Sequence, residues 1–258
     1  MSNLKVLSQK IDMDVVGHCF KGNCYKDYNA LKNWMSRIED SKNILELSIP
    51  GTHDSGTFTS ARENHARTQV LSITEQLNMG IRFLDIRVYQ TSDKHFAIHH
   101  GIIYLGYRFE QILTNVTKFL SEYPTEVVLM KIKAEDGKQN AKFQEILEMY
   151  IKEYNSYIWN YNNNVNPALG DARGKIIIIQ DFDTKLLRVD TNQLYGLNYG
   201  KSFQTFKYYK IDTDAELDKK KRKILDFVKR AMRLSKGVMN SLTGNGWPWK
   251  GKFYFYVN

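Results

Sequence analysis

The chain has 258 residues, of which 42% are apolar, and its 37 lysines and arginines exceed its 28 aspartates and glutamates to give a formal net charge of +9. This length suits one domain with a single large core, and the sequence contains no repeat, no low-complexity tract and no apolar run long enough to span a bilayer. The charge favours an anionic partner, but it does not choose among a phosphate-bearing substrate, an acidic membrane surface and nucleic acid.

The first 27 residues are expected to form an N-terminal extension, and residues 28–258 are expected to form one domain. The first ten residues lack the basic stretch, apolar core and cleavage site of a secretion signal, which predicts a protein that is intracellular or already processed. Cys19 and Cys24 are the only cysteines. Free thiols are the expected state, and a small disulfide loop is the alternative.

An amphipathic helix is predicted from Tyr28 to Ile38, and the first strand is predicted from Ile44 to Ile49. A turn with a glycine on either side follows and carries His53 and Asp54. Because neighbouring side chains at a strand end point in opposite directions, we expect these two residues to serve different partners.

Two further strands are predicted to end in polar residues. Ser72 and Glu75 form a capping box for a short helix, after which residues 82–89 alternate apolar and charged side chains, so that Asp85 and Arg87 share one face. Residues 95–101 form a short strand that ends in two histidines and a glycine. Polar residues at the carboxyl ends of successive strands are typical of an active site at one rim of a barrel.

The second half of the chain continues the alternation of helices and strands. Its predicted elements are a helix over 108–122, a strand over 126–133, a helix over 143–151, a buried strand over 176–179, a strand over 203–211, a basic helix over 217–234 and a last strand over 252–257. The basic run Lys219–Lys223 is expected to be a solvated helix face, with membrane binding as the alternative. Residues 247–250 are interpreted either as an interfacial anchor or as a packed loop.

Four motifs then occur in an order and spacing that resemble the bacterial-type phosphatidylinositol-specific phospholipases C. They are Ser-Ile-Pro-Gly-Thr-His-Asp-Ser-Gly-Thr-Phe over 48–58, Phe-Leu-Asp-Ile-Arg over 83–87, His-His-Gly over 99–101 and Leu-Gly-Asp-Ala-Arg-Gly-Lys over 169–175. The resemblance covers about residues 28–258. It implies an α/β fold, a distorted (β/α) TIM-type barrel, and a metal-free reaction in which the inositol 2-hydroxyl displaces diacylglycerol and leaves inositol 1,2-cyclic phosphate.

The resemblance also implies a role for each motif residue. His53 resembles the general base, which suits an imidazole with an ordinary pKa of about 6.5. His100 resembles the general acid, and Asp54 resembles the carboxylate that orients it. Arg87 is similar to the arginine that grips the phosphoryl oxygens, with Asp85 fixing its guanidinium.

Three further residues are expected to contact substrate, and no metal is expected. Lys133 and Tyr209 resemble residues that contact the inositol ring. Asp181 stands where the bacterial enzymes carry an inositol-contacting arginine. Because Arg87 and Lys133 occupy positions that are acidic in calcium-dependent relatives, the resemblance predicts activity without a metal or other cofactor.

The carboxyl end departs from the family pattern. The family carries an aspartate on its last barrel strand that orients the general base, and this sequence ends at Asn258 before any such segment. We therefore expect a barrel that lacks its last strand or its last helix and strand, with an open edge. Asp181 and Asp183 are candidates for the missing carboxylate.

Two functions remain open from the sequence. The first is a phosphatidylinositol or glycosyl-phosphatidylinositol phosphodiesterase, and the second is a catalytically impaired module that binds inositol lipids or membranes. The retention of both histidines favours the enzyme, since a binding module needs neither. The expected partners are a phosphatidylinositol-type lipid and a peripheral membrane surface, with no nucleic acid, and the protein is expected to be a monomer.

Overall fold

The fold was analysed in a computed structural model. The structure describes residues 28–58, 66–135, 139–162, 164, 166–182, 195–199, 203–208, 239–244 and 253–257, and also residues 215, 216, 218–220, 222, 223 and 226. Within this described part, no helix has the length and apolar character needed to cross a membrane. Cys19, Cys24, Asp183, Tyr209 and residues 247–250 lie outside it, as does most of the predicted basic helix over 217–234.

The described elements combine short helices with one mixed sheet. The helices are α1 (Tyr28–Lys32), α2 (Ile73–Asn78), α3 (Phe109–Glu122), α4 (Ala141–Glu153) and α5 (Leu169–Ala172), with 3-10 turns at Trp34–Arg37 and Ile44–Glu46. The strands are β1 (Pro50–Thr52), β2 (Phe83–Gln90), β3 (Phe96–His100), β4 (Ile103–Arg108), β5 (Val128–Ala134), β6 (Ile176–Asp181), β7 (Leu197–Asn198), β8 (Phe203–Tyr208), β9 (Met239–Gly244) and β10 (Phe253–Val257).

The sheet runs in the order β7-β6-β5-β2-β1-β10-β9-β8. The neighbours from β1 through β2, β5 and β6 to β7 are parallel, as in a (β/α) barrel, whereas β10 is antiparallel to both β1 and β9. The path ends at β7 and at β8, and these end strands are not paired with each other in the described residues. Within the described residues the architecture is therefore a distorted, unclosed barrel, which confirms the predicted distorted (β/α) barrel.

Successive side chains of the central strands point to opposite sides of the sheet, and the two sides differ in what they contact. On one face, residues such as Leu84, Ile86 and Val88 of β2 pack against α2, α3 and α4. On the other face, each strand begins with apolar residues, for example Phe83 and Leu129, and these belong to the barrel interior. Further along the same interior face come Asp85 and Arg87 on β2 and Lys131 and Lys133 on β5. The interior is thus apolar at the amino ends of the strands and charged at their carboxyl ends.

The amino ends of β2 and β5 are fastened by a buried ion pair. Nε of Arg82 lies 2.8 Å from Oε2 of Glu126, and neither side chain is exposed. The same guanidinium donates to the carbonyls of Leu31 and Lys32 at the end of α1. Arg173 makes a second set of such contacts: it donates to three backbone carbonyls and pairs with Asp40. Its motif over 169–175 therefore has a structural role on this side of the sheet.

Two local predictions were wrong, and a third was only partly right. The predicted helix over 28–38 is split, because the carbonyls of Leu31 and Lys32 bond to Arg82 rather than continuing the helix. The range 44–49 contains no strand: it begins with a 3-10 turn, in which the Asn43 side chain caps the backbone N–H of Leu45 at 2.8 Å, and the first strand starts only at Pro50. The predicted strand over 95–101 is present as β3, but it is not a parallel strand of the barrel, because it forms an antiparallel hairpin with β4 that turns at Gly101, where φ is 59°.

Candidate active site

The loop after β1 brings the first motif against β2. Gly51 packs so closely on β2 that a Cβ atom there would lie 2.8 Å from Cβ of Phe83. At Gly56, a Cβ atom would lie 2.6 Å from the Tyr107 hydroxyl oxygen. Any larger residue at either position would push the loop away from the sheet, which explains the two glycines that flank His53 and Asp54.

Hydrogen bonds from small polar residues fix the loop between these glycines. The Ser55 hydroxyl oxygen accepts from the backbone N–H of Asp85 at 2.8 Å, and the backbone N–H of Ser55 donates to the Asp85 carbonyl at 2.8 Å. Gln76 of α2 donates to the Ser55 carbonyl and accepts from the Thr52 hydroxyl. Gln69 donates to the His53 carbonyl at 2.7 Å. The loop is therefore held in place as a rigid extension of the sheet.

His53 is buried and lies between two carboxylates. Its Nδ1 is 3.1 Å from Oδ2 of Asp85, and its Nε2 is 3.3 Å from Oδ2 of Asp54. Asp85 has no exposed surface, and its Oδ2 also accepts from the backbone N–H of Asp54 at 3.1 Å. A carboxylate at Nδ1 is the arrangement that orients a histidine and selects the tautomer in which Nε2 acts as a base.

Asp54 lies at the centre of the site. Its Oδ2 lies 3.3 Å from Nε2 of His53 and 3.5 Å from Nε2 of His100, and its Oδ1 contacts Nε of Arg87. His53 and Asp54 have different further partners, as predicted, but they also contact each other, which was not expected. The backbone of Asp54 has a φ of 46°, which lies in the left-handed region and turns its side chain back toward the histidine.

The surroundings of Asp54 change its acidity. Burial is the largest effect and raises the pKa of Asp54 to about 6, and the charges of Asp85 and Glu135 act in the same direction. His53 and Arg87 oppose this rise. The carboxylate at the centre of the site therefore titrates much nearer to neutral pH than an ordinary aspartate does.

Arg87 is held mainly by carboxylates other than Asp85. Its Nη1 lies 3.1 and 3.2 Å from the two oxygens of Glu135, whereas the contact of its Nη2 with Asp85 is 3.9 Å long. The predicted pairing of Asp85 with Arg87 is thus a distant one. Asp85 lies closer to His53 and to Lys131 than to Arg87.

Glu135 was not singled out in the sequence. It accepts from Arg87, it lies 3.8 Å from Nζ of Lys133, and it accepts from the backbone N–H of Gly101 at 2.9 Å. It therefore joins the end of β5 to the hairpin that carries His100. Its position two residues beyond Lys133 placed it on the same strand face, and this spacing was the signal that could have identified it.

Lys131 was also missed, although it lies deeper than Lys133. Its Nζ is 3.1 Å from Oδ1 of Asp85, 3.1 Å from Oδ2 of Asp181 and 4.4 Å from the centroid of the Tyr199 ring. Burial tends to lower the pKa of Lys131, but Asp85, Tyr199 and Asp181 together raise it above its ordinary value. Lys131 is thus a buried, charged lysine.

The same lysine keeps Asp85 ionised. Burial alone would raise the pKa of Asp85, but Lys131, the hydrogen bond to His53 and the charge of Arg87 hold it well below its usual range. Asp85 is therefore a carboxylate at neutral pH, although its side chain has no exposed surface. An ionised Asp85 is the form that can stabilise a positive charge on His53.

The three predicted substrate contacts are only partly assembled. Lys133 is at the rim with 37% of its side chain exposed, and Asp181 is at the rim with 31% exposed. Asp181 contacts Lys131, so in the described contacts it is held by a lysine and not by His53. Tyr209 lies outside the described residues.

The site also contains a possible set of metal ligands. His53, Asp54 and Asp85 each offer one ligand atom, and these atoms lie within 4.8 Å of one another. However, Asp54 contacts Arg87 and Asp85 contacts Lys131, so each of the two carboxylates is already paired with a positively charged side chain. A divalent cation would have to displace or face both of these side chains, and this donor set therefore fits a metal poorly.

Comparison with known proteins identifies the family of the chain. The model of the family "Phosphatidylinositol-specific phospholipase C, X domain" matches residues 48–181. A 1-phosphatidylinositol phosphodiesterase of Staphylococcus aureus (strain Newman) is 35% identical over 155 residues, which are 57% of this chain and 50% of that protein. The protein of the same name from Listeria monocytogenes is 31% identical over 220 residues, which are 82% of this chain and 66% of that protein. The chain thus spans half to two thirds of these relatives.

Solved structures show the same fold. The phosphatidylinositol-specific phospholipase C from Listeria monocytogenes is 27% identical with a TM-score of 0.69, covering 81% of this chain and 77% of that one. An S. aureus phosphatidylinositol-specific phospholipase C, from a study of its membrane binding, is 28% identical with a TM-score of 0.68, covering 82% and 76%. The chain belongs to the family of the phosphatidylinositol-specific phospholipase C X domain.

Proposed function

We propose that this chain is a phosphatidylinositol or glycosyl-phosphatidylinositol phosphodiesterase that works without a metal by intramolecular phosphoryl transfer. The observation that carries the proposal is the arrangement around Asp54, whose carboxylate contacts His53, His100 and Arg87 together. Two imidazoles and a guanidinium around one point are what a reaction needs if it moves two protons at a charged phosphodiester.

The two histidines have different surroundings that suit different tasks. His53 is buried with Nδ1 on Asp85, so it takes the proton of the inositol 2-hydroxyl through Nε2 as that oxygen attacks phosphorus. His100 has 28% of its side chain exposed at the rim, and it gives a proton to the glycerol oxygen as the bond from phosphorus to that oxygen breaks. The products are diacylglycerol and inositol 1,2-cyclic phosphate, so bonds and protons balance.

Arg87 supplies positive charge to the phosphoryl oxygens. Its guanidinium is already oriented by Asp54 and Glu135 before substrate binds, and only 16% of the side chain is exposed. A preorganised cation in a site with little water stabilises developing negative charge more than a mobile surface cation does. Lys133 and Asp181, both at the rim, are proposed to contact the inositol hydroxyls.

The membrane is the proposed place of action, with the protein as a monomer. Ile102 has 96% of its surface exposed at the tip of the hairpin that carries His100, and Tyr104 on the same hairpin is 52% exposed. An exposed apolar tip beside the general acid suits contact with the headgroup region, where the scissile bond lies. The net charge of +9 favours an anionic lipid surface in addition.

The proposal is tested with phosphatidylinositol vesicles and the purified chain, following inositol cyclic phosphate by phosphorus NMR. The wild type is expected to form it, and His53→Ala is expected to lose roughly 10²- to 10⁴-fold in kcat, the usual contribution of a general base. His100→Ala is expected to lose as much on the lipid, but little on a nitrophenyl ester of inositol phosphate, since nitrophenolate leaves without a proton. Vesicle binding with no turnover by the wild type would instead identify the impaired lipid-binding module.

A further inference from the structure

Lys131 is an unusual residue to find within a barrel. Only 5% of its side chain is exposed, and its Nζ lies 3.1 Å from one oxygen of Asp85 and 3.1 Å from one oxygen of Asp181. Lysine is almost never buried unless it is paired, and a lysine held by two carboxylates fixes both of them. This lysine therefore links Asp181, which is partly exposed at the rim of the site, to Asp85, which is fully buried.

The oxygens of Asp85 are divided between two tasks. Oδ1 contacts Lys131, while Oδ2 contacts Nδ1 of His53 and accepts from the backbone N–H of Asp54. A carboxylate bound on both sides cannot rotate without breaking one of these contacts. The position of Lys131 thus determines how Asp85 meets His53.

We infer, on the basis of the proposed function, that Lys131 is a positioning residue of the reaction. It holds Asp85 ionised and fixed in rotation, so that Asp85 keeps a proton on Nδ1 of His53 and Nε2 acts as the base. Asp181 balances the charge of Lys131 at the rim. Lys131 on β5 thus positions His53, on the loop after β1, through Asp85 on β2.

Other charged groups face His53, but they act from different sides. Asp54 lies at its Nε2, and Asp54 in turn contacts Arg87 and His100. Glu135 reaches the site through Arg87, and Lys133 lies beyond Glu135. Lys131 is the cation with the shorter contact to Asp85, at 3.1 Å against 3.9 Å for Arg87. Removal of Lys131 is therefore expected to change the charge and orientation of Asp85 more than removal of any of these other groups would.

The first experiment measures kcat and KM for Lys131→Met and Lys131→Arg on phosphatidylinositol vesicles and on the nitrophenyl ester. Lys131→Met is expected to lower kcat about 10- to 100-fold on both substrates, a part of what a general base contributes. Lys131→Arg keeps the charge and is expected to recover most of that loss. A loss by Lys131→Met that disappears on the nitrophenyl ester would place Lys131 with the acid, and the inference would be overturned.

Control variants separate this effect from general damage. Lys133→Met changes a lysine on the same face of β5 that is 37% exposed, and it is expected to raise KM more than it lowers kcat. Lys118→Met, on the exposed face of α3, is expected to change neither. Equal losses of kcat for Lys131→Met and Lys133→Met would contradict a role specific to Lys131.

The pH profile of kcat/KM gives a readout that a merely structural role would not move. Without the Lys131 charge, the pKa of Asp85 is expected to rise, so Asp85 loses its charge at a higher pH and the acid limb of the profile is expected to shift to higher pH. Asp181→Asn leaves the Lys131 charge less balanced and is expected to shift that limb to lower pH. Shifts in the same direction, or none in either variant, would overturn the inference.

Nitrogen NMR of histidine-labelled protein tests the same inference without turnover. At pH 8 the His53 ring is expected to carry its proton on Nδ1 in the wild type and to lose this preference in Lys131→Met. If Lys131→Met does not fold, the shift of the acid limb of the pH profile in Asp181→Asn, compared with the wild type, decides instead. A wild type that shows the Nδ1 proton but no turnover would refute the proposed function and leave the role of Lys131 in positioning His53 intact, whereas an unchanged tautomer in Lys131→Met would refute that role.

Discussion

Oδ2 of Asp85 lies 3.1 Å from Nδ1 of His53. Asp85 lies on β2, and His53 lies in the loop after β1, the strand that pairs with β2 in parallel; this loop is bonded to β2 through the backbone of Ser55 and Asp85. The partner of the proposed base is therefore built into the centre of the sheet. The sequence predicted Asp181 or Asp183 as candidates for this carboxylate, but Asp181 instead contacts Lys131.

Asp85→Asn is predicted to abolish most of the activity and also to lower the stability of the fold, because the buried Lys131 loses one of its two carboxylate partners. An amide can donate to Nδ1, which favours the tautomer with the proton on Nε2, and that tautomer cannot act as the base. We expect kcat to fall roughly 10³- to 10⁴-fold, as expected for loss of the correct tautomer. The measurement is cyclic phosphate formation from vesicles, with the thermal unfolding midpoint recorded beside it.

Asp171→Asn is the matched control for this change. Asp171 is an exposed acid on the short helix α5, so its substitution is expected to leave kcat within a factor of two or so, as is usual for surface sites. If Asp85→Asn kept wild-type turnover, the orienting role of Asp85 would be wrong, because the amide cannot substitute for the carboxylate in that role.

Asp54 predicts a specific dependence of stability on pH. Its pKa is raised to about 6 in the folded protein, against an ordinary value near 3.8, so the folded state binds this proton more tightly than the unfolded state does. The contribution of Asp54 is therefore favourable below about pH 4 and is lost as the pH rises through 6. Asp85, whose pKa is lowered, acts in the opposite way, and its contribution is lost in acid.

Asp54→Asn isolates the first of these effects. The difference in free energy of unfolding between variant and wild type, measured with urea at pH 4 and pH 7, is expected to move in favour of the variant on going to pH 7. The expected change is on the order of 1 to 3 kcal/mol for a shift of this size. A difference that stays constant across the range would mean that Asp54 is not titrating there.

Activity is predicted to survive removal of metals. The carboxylates of Asp54 and Asp85 already meet Arg87 and Lys131, so the charge that calcium would bring is supplied by side chains. Initial rates with a chelator, and with calcium added back after chelation, are expected to agree within experimental error. Loss of turnover in the chelator with recovery in calcium would refute this part of the proposal.

Several elements follow from the sequence because they depend on local chemistry. The capping box of Ser72 and Glu75 is present, with each side chain bonded to the other residue's backbone. α3 begins and ends within a residue of its prediction, since its apolar positions follow the helical period and Pro124 comes soon after its end. β2 has Asp85 and Arg87 on one face, which its alternation required. Local patterns were sufficient for these features.

The details of the site were harder to predict because they depend on contacts between distant segments. The convergence of His53 and Asp54 requires the left-handed backbone of Asp54, which no alternation pattern reveals. Lys131 lies on the same strand face as Lys133, but a lysine is ordinarily expected in solvent. Its burial depends on Asp85 from β2 and Asp181 from β6, and thus on the register of three strands.

The buried pair of Arg82 and Glu126 gives a prediction about stability alone. Both side chains have no exposed surface, and Arg82 also bonds to the carbonyls that end α1. Arg82→Met leaves Glu126 buried without its cation and is expected to lower the free energy of unfolding by about 3 to 5 kcal/mol.

The measurement is urea unfolding, with Arg108→Met as the matched control. The ion pair of Arg108 with Asp93 is exposed, so this control is expected to lose less than about 1 kcal/mol. Because the unpaired charge causes most of the loss, the double variant Arg82→Met, Glu126→Leu is expected to be more stable than Arg82→Met alone. Equal losses for Arg82→Met and Arg108→Met would show that the pair does not hold the amino ends of β2 and β5 together.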